Sequence, residues 1–294
     1  MSQDFAQSPA PPTSPTTPLP RGACDTHAHV FGPYDQFPLA EPRPYTPASS
    51  PKEQYFAMLD AMGFDRGVLV HGGAHGWDLS AMLDAIAGAP DRLKGVGVVP
   101  PDTETAELKK LYAAGVRGLR FTEVAGPSAT QTYAGRVGLD ALYRLAPAMR
   151  RLGWHAVIWA NASVFEAQAN MLRQLELPIV IDHLGYFDVS KGVNDPAFKA
   201  VLSLVEEGVA WIKLTAFRNS KRQPELDDVR PFHQALVETN PERLLWGSDW
   251  PFLGMNAWRP DSAGLLNLFD QWVDDDALRQ RVLVTNPAIL YGFE

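Results

Sequence analysis

The sequence predicts an α/β protein, a single-domain (β/α)8 TIM barrel, and three observations carry that expectation. Eight short apolar runs recur along 294 residues, amphipathic stretches of helical period separate them, and several runs are apolar throughout, as in VLV, VGVV, PIVI and LLW. Such runs suit parallel strands buried on both faces, and eight strand–helix units fit the roughly 250 residues such a barrel needs. An open doubly wound sheet would show a Gly-rich fingerprint after its first strand, and this sequence has none there.

The elements follow in order. Residues 1–21 form an arm, disordered or extended over the body: six prolines fall within the first 20 positions and almost nothing there can be buried. The barrel occupies 22–294. Its first strand, 23–30, leads into a second Pro-rich stretch, 33–51, too long for a plain connection and therefore a candidate substrate loop. The helix expected at 52–61 precedes a strand at 67–70 and another at 95–99. The helix at 105–114 then leads to the strand 118–121. Helices at 139–152, 164–175, 196–204 and 229–238 separate the last four strands, 155–159, 179–182, 209–214 and 244–247. Asp274, Asp275 and Asp276 should open a further helix favourably through its dipole, and the tryptophans at 154, 211, 246, 250 and 258 read as packing.

Composition narrows the function. With 26 basic and 34 acidic side chains the net charge is −8, which argues against a nucleic-acid or anionic-membrane partner. An apolar fraction of 46% excludes wholesale disorder, and no run reaches the ~18 residues of a membrane span. The single cysteine, Cys24, cannot form an internal disulfide and reads as a small buried hydrophobe. Without a basic segment followed by an apolar one at the start, the expected location is cytoplasmic.

In a barrel, chemistry belongs at the C-terminal ends of strands. The first strand carries His27 and His29, and residues two apart in a strand share a face. The sixth ends at His183 and the eighth at Asp249. Each alone has a structural reading, a core histidine or a turn residue. Together, three imidazoles and a carboxylate at strand ends suit water activation and carbonyl polarisation, or one metal ion.

That arrangement, with DTHAHVFGP, VHGGAHGWD, GVRGLRF, VIDHLG, WGSDWP and TNPAILYG, resembles the amidohydrolase superfamily. The similarity is closest to its amidohydrolase-related (amidohydrolase 2) branch of 2-pyrone-4,6-dicarboxylate lactonases, sulfomuconolactone hydrolases, and sugar-acid lactonases and isomerases. The resemblance runs from about Gly22 to Tyr291. It implies a small-molecule lactone as substrate, with Asp249 as general base and His27, His29 and His183 polarising the carbonyl. The rival readings are a lactone isomerase using the same residues and a mononuclear zinc hydrolase. A two-metal centre lacks its ligands, because strand five ends Trp159-Ala160-Asn161 and His155 begins that strand. No cofactor is expected; a single zinc, if bound, would take His27, His29, His183 and Asp249. Burial against Trp250 should raise the Asp249 pKa enough for a base.

The resemblance also assigns substrate contacts. Arg120 matches a carboxylate-binding position, with an ion pair as its structural alternative, and Arg218 matches a second such arginine. Tyr45 and Trp159 match aromatic wall positions. His71, with Gly72, Gly73 and His75, offers donors or simply builds its loop. Tyr186 stands where the pyrone lactonase carries an arginine, and Phe252 where it carries a histidine, so fewer carboxylates or a hydroxylated sugar-acid lactone are implied.

Overall fold

The computed structural model describes residues 3–4, 8–124, 133–255 and 258–294. Eight parallel strands form one sheet: β1 Cys24–Ala28, β2 Arg66–Val70, β3 Leu93–Gly97, β4 Val116–Glu123, β5 His155–Ala160, β6 Ile179–Ile181, β7 Ala210–Lys213 and β8 Leu244–Leu245. They pair in sequence order from β1 to β8. Beyond β8 the backbone closes the ring onto β1: the Thr26 and His29 amides donate to the Trp246 and Trp250 carbonyls at 3.1 and 2.8 Å, and the Asp249 amide donates to the His27 carbonyl at 2.8 Å. Gly247 permits that approach, since a Cβ there would lie 2.7 Å from the His27 Cβ.

The alternation of buried side chains divides the core into two layers. Val68, Val70, Val96, Val157, Val180, Trp211 and Leu245 fill the barrel interior, while a larger shell packs the outer strand faces against helices. The chain end closes the floor, where Tyr291 and Phe293 join the interior cluster. The Arg66 guanidinium and the Lys94 ammonium lie 5.2 and 5.5 Å from the Phe293 ring.

The helices expected from periodicity form as α1 Lys52–Met62, α3 Thr105–Ala113, α4 Leu139–Arg151, α5 Ala162–Gln174, α6 Pro196–Glu206 and α7 Arg230–Thr239. Between them lies α2 Ser80–Gly88, and after them α8 Ser262–Val273, α9 Asp276–Gln280 and α10 Asn286–Tyr291. Asp275 caps α9 through the Leu278 amide and Asp276 lies in its first turn, as expected, whereas Asp274 ends α8. Among the described residues no helix is long and apolar enough to cross a membrane.

Strand ends shift by one or two residues from the sequence expectation throughout the sheet, and two of the shifts have a visible cause. The third strand starts at Leu93 and ends at Gly97, because its ladder partner is Leu119 there and Val98–Val99 run on toward Pro100. The eighth stops at Leu245, where Trp246 and Gly247 turn to meet β1. The arm runs as extended chain without helix over 8–20, tied to α8 and α9 by Thr13, Thr16 and Arg279. Gln3–Asp4 pairs in parallel with Tyr45–Thr46 in the second Pro-rich stretch.

Candidate active site

His27 lies in β1 and His29 just past it, so their common face points to the barrel mouth and their rings are 5.0 Å apart. His183 follows β6 with φ of 51°, and Asp249 follows β8 with φ of 58°. Side chains other than glycine hold that left-handed conformation at a cost of about 1–2 kcal/mol. Here the surroundings impose it: Asn219 Nδ2 donates to the His183 carbonyl at 2.7 Å, and the Asp249 amide bonds β1.

The four expected residues converge. Asp249 Oδ1 lies 3.5 Å from both His27 Nε2 and His29 Nε2, and Asp249 Oδ2 lies 3.9 Å from His183 Nδ1. The two Nε2 atoms are 3.3 Å apart. All four side chains are buried. Burial, reinforced by the Lys213 charge, drives His27 well below the ordinary imidazole range, and burial lowers His183 to about 4. Both are neutral at pH 7.

Asp249 departs from expectation. Burial does act to raise its pKa, but the Arg218 guanidinium and His183 outweigh it and hold the carboxyl well below its usual range. Arg218 Nε donates to Asp249 Oδ2 at 2.5 Å, while its Nη1 bonds the Leu253 carbonyl. The carboxylate is therefore ionised throughout the physiological range.

Three further residues complete the site. Asp182 is fully buried beside His27, its Oδ1 3.3 Å from His27 Nδ1. Its Oδ2 accepts from Arg120 Nε at 3.1 Å, and Lys213 Nζ stands 3.0 Å from Oδ1. Burial would raise Asp182, yet Lys213, His27 and Arg120 hold it well below the carboxylate range. Asp25 joins the two site loops: it accepts from the Ser248 amide and hydroxyl at 2.8 and 2.7 Å, and from Tyr55 Oη at 3.3 Å. Sequence reasoning passed over all three. The signal for Lys213 was present, a lysine in the same register as Trp211 on a strand with apolar residues on both faces.

A cavity of about 360 Å³ opens above this cluster. His29, His183 and Asp249 form part of its lining with Tyr45, Arg120, Trp159, Tyr186 and Arg218, as the sequence suggested, joined by Tyr133 and Arg136. Arg120 forms the anticipated ion pair, with Asp182 at 3.0 Å, and lies 5.1 Å over the Trp159 ring at the cavity wall. His71 is not among the lining residues. It is buried, with Nε2 2.8 Å from the Gly76 carbonyl, and builds its loop. His75 is also buried and stacks on Phe31.

Ligand-type side chains fall into two groups, His27–His29–Asp249 and His27–Asp182–His183, so the four-residue zinc set expected from sequence divides. The separations of 3.3, 3.5 and 3.5 Å in the first group fit donors around one tetrahedral ion, which stand about 3.4 Å apart. The second group is already served by a cation, since Lys213 Nζ lies 3.2 Å from His27 Nδ1 and 3.0 Å from Asp182.

Residues 24–293 match the Amidohydrolase family, Amidohydro_2. The chain is 42% identical over 278 residues to the 4-sulfomuconolactone hydrolase of Rhizobium radiobacter, covering 93% of this chain and 91% of that protein. It is 35% identical to the 2-pyrone-4,6-dicarboxylate hydrolase of Comamonas testosteroni over 96% of this chain and 94% of the relative. Among solved structures, a probable 2-pyrone-4,6-dicarboxylic acid hydrolase from Acinetobacter baumannii with citric acid bound superposes with a TM-score of 0.79 at 29% identity, covering 92% of this chain and all of the other.

Proposed function

The chain belongs to the Amidohydrolase family, and on that premise we propose that it hydrolyses a small lactone bearing a carboxylate or a comparable anion. The observation that carries this reading is the convergence on Asp249: one ionised carboxylate, three imidazoles and the Arg218 guanidinium at the base of a cavity also lined by Arg120 and Arg136. Leaving the imidazoles aside, Arg120, Arg136, Lys213 and Arg218 exceed Asp25, Asp182 and Asp249 by one positive charge, which favours an anionic ligand. The names of the relatives, a sulfomuconolactone hydrolase and a pyrone dicarboxylate hydrolase, support that class.

Water held by Asp249 attacks the lactone carbonyl while the carboxylate takes its proton. The low proton affinity of Asp249 makes it a modest base for this step and a strong acid for the next, when the proton passes to the ring oxygen as the acyl C–O bond breaks. Water thus supplies hydroxyl to the new acid and hydrogen to the leaving alcohol. His29 Nδ1 lies 2.7 Å from the Val70 carbonyl oxygen, an acceptor, so its Nδ1–H is spent there, and a ring with that one proton presents a lone pair inward. The polarising role expected of all three histidines therefore falls to His27 and to His183, the Nδ1 of His183 having no hydrogen-bond partner among the described residues. The reaction is proposed without metal; an ion held by His27, His29 and Asp249 would supply Lewis-acid polarisation of the carbonyl.

A pH-stat assay over carboxylated, sulfonated and polyhydroxylated lactones, with products identified by chromatography, tests the proposal. The expected result is acid release that survives dialysis against chelator and falls by about 10³-fold or more in Asp249→Asn. Failure of the folded protein to open any of these lactones, an isomeric lactone as product, or full activity in the Asn variant would each sink it.

A further inference from the structure

Lys213 ends β7 with its side chain wholly enclosed, although a lysine there has to be taken out of water. Its ammonium stands 3.0 Å from Asp182 Oδ1 and 3.2 Å from His27 Nδ1. An ammonium has three donors and no acceptor. Facing that donor, His27 Nδ1 accepts, which leaves the ring proton on Nε2. Asp182 Oδ1 lies 3.3 Å from the same nitrogen, farther than the ammonium, and takes the Lys213 charge at 3.0 Å. His29 is held the opposite way, since its Nδ1 donates to Val70. Two imidazoles that look alike in the sequence are therefore a donor and an acceptor, with their Nε2 atoms 3.3 Å apart.

We propose that Lys213 is a positioning residue that fixes His27 in the Nε2–H form, making it a hydrogen-bond donor to the substrate carbonyl and keeping divalent ions off the His27–His29–Asp249 group. Ligation at His27 Nε2 needs a lone pair on that atom. The proton would have to move to Nδ1, where it would meet the ammonium donor at 3.2 Å. Spacing alone makes the group a metal site, and the buried lysine behind it opposes that use. The catalytic part of this inference rests on the lactone reading; the proton position and the ion preference do not.

Imidazole ¹⁵N NMR of the ligand-free protein tests it, with the His27 signals identified by their loss in His27→Gln. The wild-type spectrum should show a bare Nδ1 and a protonated Nε2. In Lys213→Met, which keeps the length and removes the donor, the proton should move to Nδ1 and face Asp182. Titration calorimetry with zinc alone should show tighter binding by about tenfold or more, and kcat should fall with KM little changed. Lys213→Arg retains a donor and should keep the wild-type spectrum and weak zinc binding. A wild-type His27 protonated at Nδ1 overturns the proposal, as does wild-type zinc affinity equal to that of the Met variant. If the Met variant does not fold, the wild-type spectrum and the Arg variant decide. An inactive protein with the expected spectrum would overturn the lactone reading and leave this one standing.

Discussion

At Asp249 a single guanidinium decides whether a buried carboxyl is an acid or a base. Arg218 is the largest influence opposing burial there and also faces the cavity, so its removal should act in two ways. Arg218→Met lets the Asp249 pKa rise. The fall in kcat/KM on acidification should therefore begin at higher pH than in the wild type, while kcat/KM at neutral pH drops about 10²-fold from lost anion binding. A pH–rate profile separates the effects: an unmoved acid limb would mean that Arg218 serves the substrate alone. The residues naming the chemistry were legible because His27, His29, His183 and Asp249 sit at strand ends, where barrel geometry demands them. The ones that set their protonation were not. Lys213 and Asp182 act through contacts between β7, β6 and β1, residues 186 and 155 positions from His27, which no local pattern encodes. The same blindness put the Asp249 pKa on the wrong side: burial was readable in the neighbouring Trp250, and the Arg218 contact was not.

Elements were easier to read than their junctions. The apolar runs reveal β1–β8 because burial on both faces is written into each strand alone. The ends at Gly97 and Leu245 depend on partners, Leu119 and the first strand. The arm shows a similar limit, since its prolines reveal extended chain but not its seat. Asp261 caps α8 through the Gly264 amide at 3.3 Å and also accepts from the Thr13 amide at 3.1 Å and the Thr13 hydroxyl. Thr16 bonds Asn267, about 1.7 turns beyond Asp261, at 2.8 Å. Asp261→Ala removes the cap and one anchor of the arm together. The expected loss is about 1 kcal/mol for the cap, or a melting point lower by ~2 °C, with the arm cut by protease before the barrel. An unchanged melting curve and an uncut arm would show that solvent serves both ends equally well.

For the whole molecule, the acid limit is set by imidazoles that folding keeps neutral. Burial lowers His71, His183 and His233 to about 4 and His155 to about 3. In the unfolded chain each titrates near 6.5. Below that pH the unfolded state binds more protons, so stability is complete above about 6.5 and is lost as the pH falls toward 4. The slope approaches ~1.4 kcal/mol per pH unit for each group. Asp25 runs the other way: burial pushes its carboxyl up to about 6, so the native state gains that proton first and partly offsets the loss. His27 and His75 are lowered by burial as well, so six imidazoles against one carboxyl leave a steep net dependence, and a fold worth about 5–15 kcal/mol should fail near pH 5, before ordinary carboxylates are protonated. Urea midpoints measured from pH 8 to 5 should be flat above 7 and fall steeply below 6.5. His233 allows the cause to be isolated. Its ring nitrogens have no hydrogen-bond partner among the described residues, it packs on Phe269 and Trp272, and it lies outside the cavity above Asp249. His233→Leu should reduce the slope by about one proton's worth and raise the urea midpoint at pH 5 while leaving turnover unchanged; an undiminished slope would place the acid sensitivity elsewhere.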